Sequence, residues 1–138
     1  MSGIETIFRQ LQAASQKQPA GQGYHIDMLS GESGVARLIL DDPAAMPIFL
    51  WVTGQELLCV TYLMQEDEVK PESRCQMLEA MLGMNIPMHL SSFGKFDRHF
   101  VLFGALSVDS SVEIILQDIH ALGANALEAL EAMATYLK

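Results

Sequence analysis

The spacing of hydrophobic residues changes several times along the chain, and each change marks a predicted helix or strand. Apolar residues recur at helical intervals from Ile4 to Leu11, which predicts a first helix that ends near Lys17. Ser2 and Glu5 before and within its first turn fit a capping box, in which each side chain satisfies a backbone N–H of the other. The chain is therefore predicted to open with a short amphipathic helix.

Shorter apolar runs bounded by turn residues follow, and they predict four strands. The predicted strands cover residues 24–29, 35–40, 48–52 and 57–63. A turn is predicted at residues 30–34 between the first two strands. Gly54 stands first in a two-residue turn between the last two, as in a type II′ hairpin. These short connections favour antiparallel pairing of neighbouring strands.

The second half of the chain predicts a helix, a hairpin and a long final helix. The middle helix is predicted to begin at Pro71 and to end at Gly83 as its C-cap. Residues 85–107 predict strand, turn, strand. The final helix is predicted over residues 112–137, with Asp109, Ser110 and Ser111 as candidate N-caps. Gly123 marks the place where a kink or break would fall.

The resulting order of elements is α-β-β-β-β-α-β-β-α. This order predicts one α+β domain over residues 1–138, with an antiparallel sheet of five to six strands and the helices packed on one face. Half of the 138 residues are hydrophobic. That fraction is enough to build a core without the support of disulfides or a structural metal. No P-loop, Rossmann fingerprint, H-E-x-x-H motif or EF-hand loop appears in the sequence, so we expect neither a metal site nor a cofactor.

Charge and hydropathy exclude several classes of partner. The formal net charge of −9 opposes binding to phosphate backbones, so nucleic acid is not an expected partner. No window approaches the ~18 consecutive apolar residues of a membrane-spanning helix. The first ten residues lack the charged-then-apolar order of a signal peptide. These features predict a cytoplasmic protein whose two cysteines, Cys59 and Cys75, are reduced and buried.

The stretch from Asn85 to Ser107 carries the densest set of polar side chains among apolar ones. A two-residue turn at Gly94–Lys95 would place Phe93 opposite Phe96, as a cross-strand aromatic pair. In the same register His89 and Ser91 would share one face, about 6.5 Å apart along the strand, which is too far for a direct hydrogen bond.

Two functions remain open for this stretch. A small-ligand or enzymatic site would have to use its only dense polar cluster, which consists of His89, Ser91, Asp97 and Arg98. The register places Asp97 and Arg98 on opposite faces, and the segment lacks the G-x-S-x-G motif of a nucleophile elbow. The alternative is a structural hairpin that contributes to a protein-binding surface, and no catalytic residue is predicted.

Methionines offer a second candidate surface. Met77, Met81, Met84 and Met88 recur at intervals of four, three and four residues, which would form a stripe on the middle helix. Such a stripe fits core packing, and it also fits an adaptable partner-binding groove. The candidate partner-binding residues are therefore Met77, Met81, Met84, Phe93, Phe96 and Arg98.

Several segments of the C-terminal half resemble the YjfI-like family of bacterial proteins. They are residues 85–87, 90–94 and 101–107, the Ser110–Ser111 start of the last helix, and that helix through Asn125 and Leu127. The resemblance implies a fold similar to YbjN and the type III secretion chaperones, an antiparallel sheet with helices on one side that commonly forms dimers. The four strands that we count before the middle helix would be one more than that fold has.

The resemblance also implies a biological context. YjfI-like proteins look like cytosolic companions of PspA-type membrane-stress proteins. Together with the absence of catalytic motifs, this favours a non-enzymatic, chaperone-like adaptor that binds a protein partner, with a PspA-like protein as the candidate partner and a homodimer as a possible assembly. Direct insertion into a membrane is not expected.

Overall fold

The computed structural model describes residues 3–29 and 34–138, and within them the elements follow the predicted order. The helices are α1 (Ile4–Ser15), α2 (Arg74–Asn85) and α3 (Val112–Met133), and the strands are β1 (Tyr24–Met28), β2 (Ala36–Leu40), β3 (Ile48–Thr53), β4 (Glu56–Gln65), β5 (Ser92–Phe96) and β6 (His99–Ser107). The capping role of Ser2 and most of the turn predicted at residues 30–34 lie outside the described residues.

All six strands form one antiparallel sheet in the order β1-β2-β3-β4-β6-β5. The predicted α+β class and strand number are therefore confirmed. The tight turn between β3 and β4 is confirmed too, with Gly54 at a φ of 60° that favours glycine. Strand β4 lies at the centre, between the N-terminal meander and the C-terminal hairpin.

The helices cover one face of this sheet, as predicted. Alternate residues of the strands, such as Leu38, Leu50 and Leu102, are fully buried against Leu11 of α1 and Leu122 of α3. Burying a leucine side chain of this kind stabilises the fold by about 1.5–3 kcal/mol. Helix α2 joins the same core at the β5 edge.

Helix α2 begins at Arg74 rather than at Pro71, α3 ends before the predicted residue 137, and both expectations about glycines in these helices were wrong. Helix α2 continues through Gly83 to Asn85, because the backbone at Gly83 stays in the ordinary helical region and Pro87 lies just beyond the actual end. Helix α3 is unbroken at Gly123, where the missing side chain lets the helix approach Leu40 of β2, and it ends at Met133. The predicted cap at Ser111 is confirmed, since its Oγ accepts a hydrogen bond from the Ile114 N–H.

The position of Gly83 leads us to expect that a substitution there would stabilise the protein. This glycine is exposed inside a helix, and a Cβ atom built there would meet nothing within 4 Å. Gly83→Ala is therefore expected to raise the free energy of unfolding by about 0.5–1 kcal/mol, because alanine loses less backbone entropy in a helix. Urea denaturation of both proteins measures this difference, and an unchanged or lower free energy of unfolding would contradict it.

Candidate functional site

The face of the sheet that points away from the helices carries large apolar side chains. Residues on this open face alternate along each strand with those of the core, so Phe49 and Trp51 of β3 and Tyr62 of β4 project from it. An antiparallel sheet with one packed face commonly exposes polar residues on the other. This sheet presents aromatic rings on the second face of β3 to β6, beside the Arg37–Asp27 ion pair of β1 and β2.

The rings on the open face contact one another across several strands. The ring centroids of Phe49 and Tyr62 are 5.5 Å apart, and those of Tyr62 and His99 are 4.7 Å apart. The rings of Trp51 and Phe96 approach to 6.2 Å although their strands are separated by three strand spacings, about 14 Å in a flat sheet. The side chains of Trp51 and Phe96 therefore lean toward each other across β4 and β6.

We name this surface the aromatic face and define it by Phe49, Trp51, Tyr62, Phe96 and His99. Its centre is a shallow groove that also contacts Leu29, Val35 and Val52, and no charged residue lines it among the described residues. Phe96 is 53% exposed, and the other four members are partly buried by one another. The site is thus a solvent-facing apolar groove rather than a closed cavity.

The hairpin that presents Phe96 is anchored by an ionic cluster. The Glu66 carboxylate lies 2.7 Å from Arg74 Nε and 3.0 Å from Lys95 Nζ, which connects the start of α2 to β5. Hydrogen bonds from these two cations, first from Arg74, lower the pKa of Glu66 to about 2. The cluster therefore stays ionised at neutral pH and holds the β5–β6 hairpin in place.

The predicted register of this hairpin was wrong. The turn lies at Asp97–Arg98 rather than at Gly94–Lys95, so Phe96 pairs with His99 and Phe93 pairs with Leu102. Aspartate tolerates the left-handed backbone that the turn requires, and Asp97 has a φ of 57°.

Gly94 lies inside β5 instead of in the turn. A Cβ atom there would lie only 3.0 Å from the ring of Phe103. The proposed contact between Phe93 and Phe96 is also wrong, because the two side chains point to opposite faces of the sheet.

The six predicted partner-binding residues are distributed over different environments. Met77, Met81 and Phe93 belong to the core. For Met77 and Met81 this agrees with core packing, one of the two roles considered for the methionine stripe. Met84 is partly buried, while Phe96 and Arg98 are exposed. Of the six, only Phe96 belongs to the aromatic face.

Sequence reasoning missed Phe49, Trp51 and Tyr62. The continuous apolar run of residues 48–52 predicted a strand, but neither of its faces was assigned a binding role. The sequence did contain a signal of a second apolar face. Along β3 alternate residues face opposite sides of the sheet, and Ile48 and Leu50 alone would have filled the core side. The intervening aromatic residues then required a second apolar surface.

The polar residues of the alternative ligand site do not converge. Asp97 and Arg98 form the turn at one end of β5, whereas His89 and Ser91 lie in the connection from α2 at its other end, about 16 Å away along the strand. Ser91 is buried and accepts a hydrogen bond from Asn125 Nδ2. The four residues therefore do not form one pocket.

The two cysteines are free and lie in different environments. Cys59 is fully buried, and burial raises the pKa of its thiol, with a smaller contribution from the nearby Asp118 carboxylate. Cys75 is exposed on α2, so its predicted burial was wrong. None of the described helices is both long enough and apolar enough to span a membrane.

A second exposed apolar area lies on the other side of the molecule. Leu82 and Ile86, at the end of α2, are 69% and 88% exposed. They belong to residues 80–94, which contain no Asp, Glu, Lys or Arg. We name this area the neutral patch and define it by Leu82, Ile86 and Leu90.

The fold is that of the type III secretion chaperone class. One chain of the heterodimeric ExoU–SpcU complex of Pseudomonas aeruginosa superposes with a TM-score of 0.61 at 15% identity, over 91% of this chain and 95% of that one. A chain of the HopA1–SchA chaperone–effector complex gives 0.64 at 13% identity, over 93% of both chains. YbjN of E. coli gives 0.59 at 16% identity, over 98% of this chain and 94% of YbjN.

By sequence, the chain belongs to a bacterial family described as "Uncharacterized protein conserved in bacteria (DUF2170)", whose model matches residues 2–137. Comparison with curated proteins gives no match. The bacterial family is consistent with the YjfI-like resemblance, and the fold that this resemblance implied is confirmed by the solved structures.

Proposed function

We propose that this protein is a non-enzymatic, chaperone-like adaptor of the bacterial cytoplasm that binds an apolar segment of a partner protein on its aromatic face. The observation that carries the proposal is the row of contacting rings along a groove on a sheet face that none of the described helices covers. Contiguous exposed apolar surface of this kind marks protein interaction sites. The polar residues of the alternative ligand site are dispersed, which leaves that function without support.

The chemistry of the aromatic face suits a protein segment. Trp and Tyr are enriched among the residues that dominate binding energy, because they bury a large area and lose few rotamers. The groove lacks charges, so the segment it accepts is apolar where it touches the rings. The net charge of −9 would keep the complex soluble.

The structural neighbours support the same class of function. Two of them were solved within complexes, one of which is a chaperone–effector complex. The fold therefore supports protein binding in relatives of the same architecture. We propose the same protein-binding role for this chain.

Two finer elements complete the proposal. The partner is a PspA-type membrane-stress protein, on the strength of the sequence resemblance alone. A second copy of the chain docks on the neutral patch. Two chains of equal negative charge approach with least repulsion where neither carries charged residues, and residues 80–94 are such a segment.

Site-specific photo-crosslinking in bacterial cells tests these contacts. The photoreactive residue p-benzoylphenylalanine would replace Phe96 on the aromatic face, Leu82 on the neutral patch, or the exposed Ala132 of α3 as a background control. Phe96 is expected to yield one major adduct with another protein, identified by mass spectrometry, and Leu82 an adduct of two copies of the chain.

The outcomes separate the elements of the proposal. A Phe96 adduct with a protein other than a PspA-type one would retain the adaptor function and refute that partner. Equal adducts from Phe96 and Ala132 would refute the aromatic face as the binding site. Absence of the two-chain adduct from Leu82, together with a monomeric mass in solution, would refute the dimer.

A further inference from the structure

The connection between α2 and β5 is held on α3 by a pair of hydrogen bonds. Asn125 Nδ2 donates to the carbonyl oxygen of His89 at 2.8 Å and to Ser91 Oγ at 3.0 Å. Between these two contacts, Leu90 adopts a φ of 66°, a left-handed backbone that is uncommon for a bulky side chain. The connection is therefore fixed in a strained conformation by contacts outside itself.

A buried carboxyl group lies beneath the strained residue. Asp118 of α3 is 7% exposed, and its Oδ2 has no hydrogen-bond partner among the described residues. A Cβ atom built at Gly104 would stand 2.5 Å from Asp118 Oδ2 and 3.0 Å from the carbonyl oxygen of Leu90. Both oxygens thus converge on the same space above β6, which only glycine leaves open.

Two acceptor oxygens that face one buried space repel each other unless a proton forms a hydrogen bond between them. A neutral carboxylic acid can donate from Oδ2 to the carbonyl of Leu90, whereas an ionised carboxylate beside that oxygen would be desolvated and repelled. Burial raises the pKa of Asp118, and the nearby His89 partly opposes this shift.

The other groups around Asp118 supply no fixed positive charge. The connection contributes His89, strand β4 contributes the un-ionised thiol of Cys59, and strand β6 contributes the uncharged Gly104. Asn125, on the same helix, is neutral.

We propose that Asp118 is a protonation-controlled latch that holds residues 86–91 on α3 while its carboxyl group is neutral and releases them when it ionises. The direction of the pH dependence follows from the linkage between proton binding and the latched conformation. The latched state binds the proton more tightly, so opening increases as pH rises, by about tenfold per pH unit between the pKa values of the open and latched states. Release would free Ile86 and Leu90 from their present positions, and so would change the neutral patch.

NMR of the full-length protein tests the latch. In the wild type, the ¹³C resonance of the Asp118 carboxyl group and the amide resonances of residues 89–91 are expected to titrate together, with a midpoint above that of an ordinary aspartate. Hydrogen exchange of the same amides, corrected for the intrinsic pH dependence, is expected to accelerate about tenfold per pH unit across that window. Amides that do not respond while the carboxyl titrates would overturn the proposal.

Three variants identify the side chain whose ionisation causes the pH response of the connection. Asp118→Asn keeps the shape and cannot ionise, so the connection should stay closed and insensitive to pH. His89→Gln should retain the titration and Asp97→Asn, at an exposed turn, should leave it unchanged. A response that survives Asp118→Asn but is lost in His89→Gln would transfer the switch to the histidine and refute the latch. Should Asp118→Asn fail to fold, the wild-type carboxyl titration still decides.

Discussion

Replacing Trp51 and Phe96 together by alanine is expected to reduce recovery of the crosslinked or co-purified partner by about 30-fold or more. The two rings contact each other at 6.2 Å and form the centre of the aromatic face. Truncation of an aromatic anchor in an interface typically costs 2 kcal/mol or more in binding free energy, about 30-fold in affinity. Loss of both rings removes the anchor pair and flattens the groove.

The same substitution should leave the fold intact, which separates binding from stability. Both rings point away from the helices, so the core keeps all of its contacts, and we expect a loss of about 1 kcal/mol in the free energy of unfolding from the ring pair. Urea denaturation measures stability, and quantitative mass spectrometry measures the recovered partner.

Leu82→Ala provides the matched control, because it removes an exposed apolar side chain of the neutral patch. Unchanged recovery in the double variant, or an equal loss in Leu82→Ala, would show that the partner binds elsewhere.

Gly104→Ala is expected to lower the free energy of unfolding by about 1–3 kcal/mol, near the upper end of that range. The added methyl group would enter the space on which Asp118 Oδ2 and the carbonyl oxygen of Leu90 converge. Both neighbours are confined, one within a buried short side chain and the other in backbone held by Asn125. Relief of the overlap therefore requires α3 or the connection to move, as in other overpacked cores.

Gly123→Ala is the control for this prediction, since a Cβ atom there would also approach a neighbour to 2.5 Å. That neighbour is the terminal methyl of Leu40, which is partly buried and can rotate, and alanine adds helix propensity at this position. We expect Gly123→Ala to change stability by less than about 1 kcal/mol. Equal losses for the two variants in thermal or urea unfolding would contradict the distinction between confined and mobile neighbours.

Most of the fold could be predicted from periodicity and turn chemistry. The helical spacing in α1, the II′ turn at Gly54 and the cap at Ser111 each depend on a few neighbouring residues, and each was confirmed. The errors arose where distant residues decide. Gly83 and Gly94 look like local terminators, but Gly83 lies inside a helix and Gly94 lies inside a strand, next to the ring of Phe103.

The candidate site was less predictable for the same reason. Phe96 was identified, but its neighbour on the aromatic face, Trp51, lies 45 residues earlier in the sequence, and their contact depends on strand order. The buried Asp118 was also missed, although Ile115 three residues before it and Leu122 four residues after it place it beside the apolar stripe of its helix. Its importance depends on Gly104 and Leu90, which approach it only in the folded protein.

The strand order also has a consequence for the timing of synthesis. Strands β1 to β4 pair with their sequence neighbours, so this meander can assemble as it leaves the ribosome, while β6 adds to β4 only after α2 and β5 have been made. Trp51 therefore emerges well before Phe96. Until the C-terminal hairpin docks, the growing chain carries Phe49, Trp51 and Tyr62 without Phe96 and His99, beside an unpaired β4 edge.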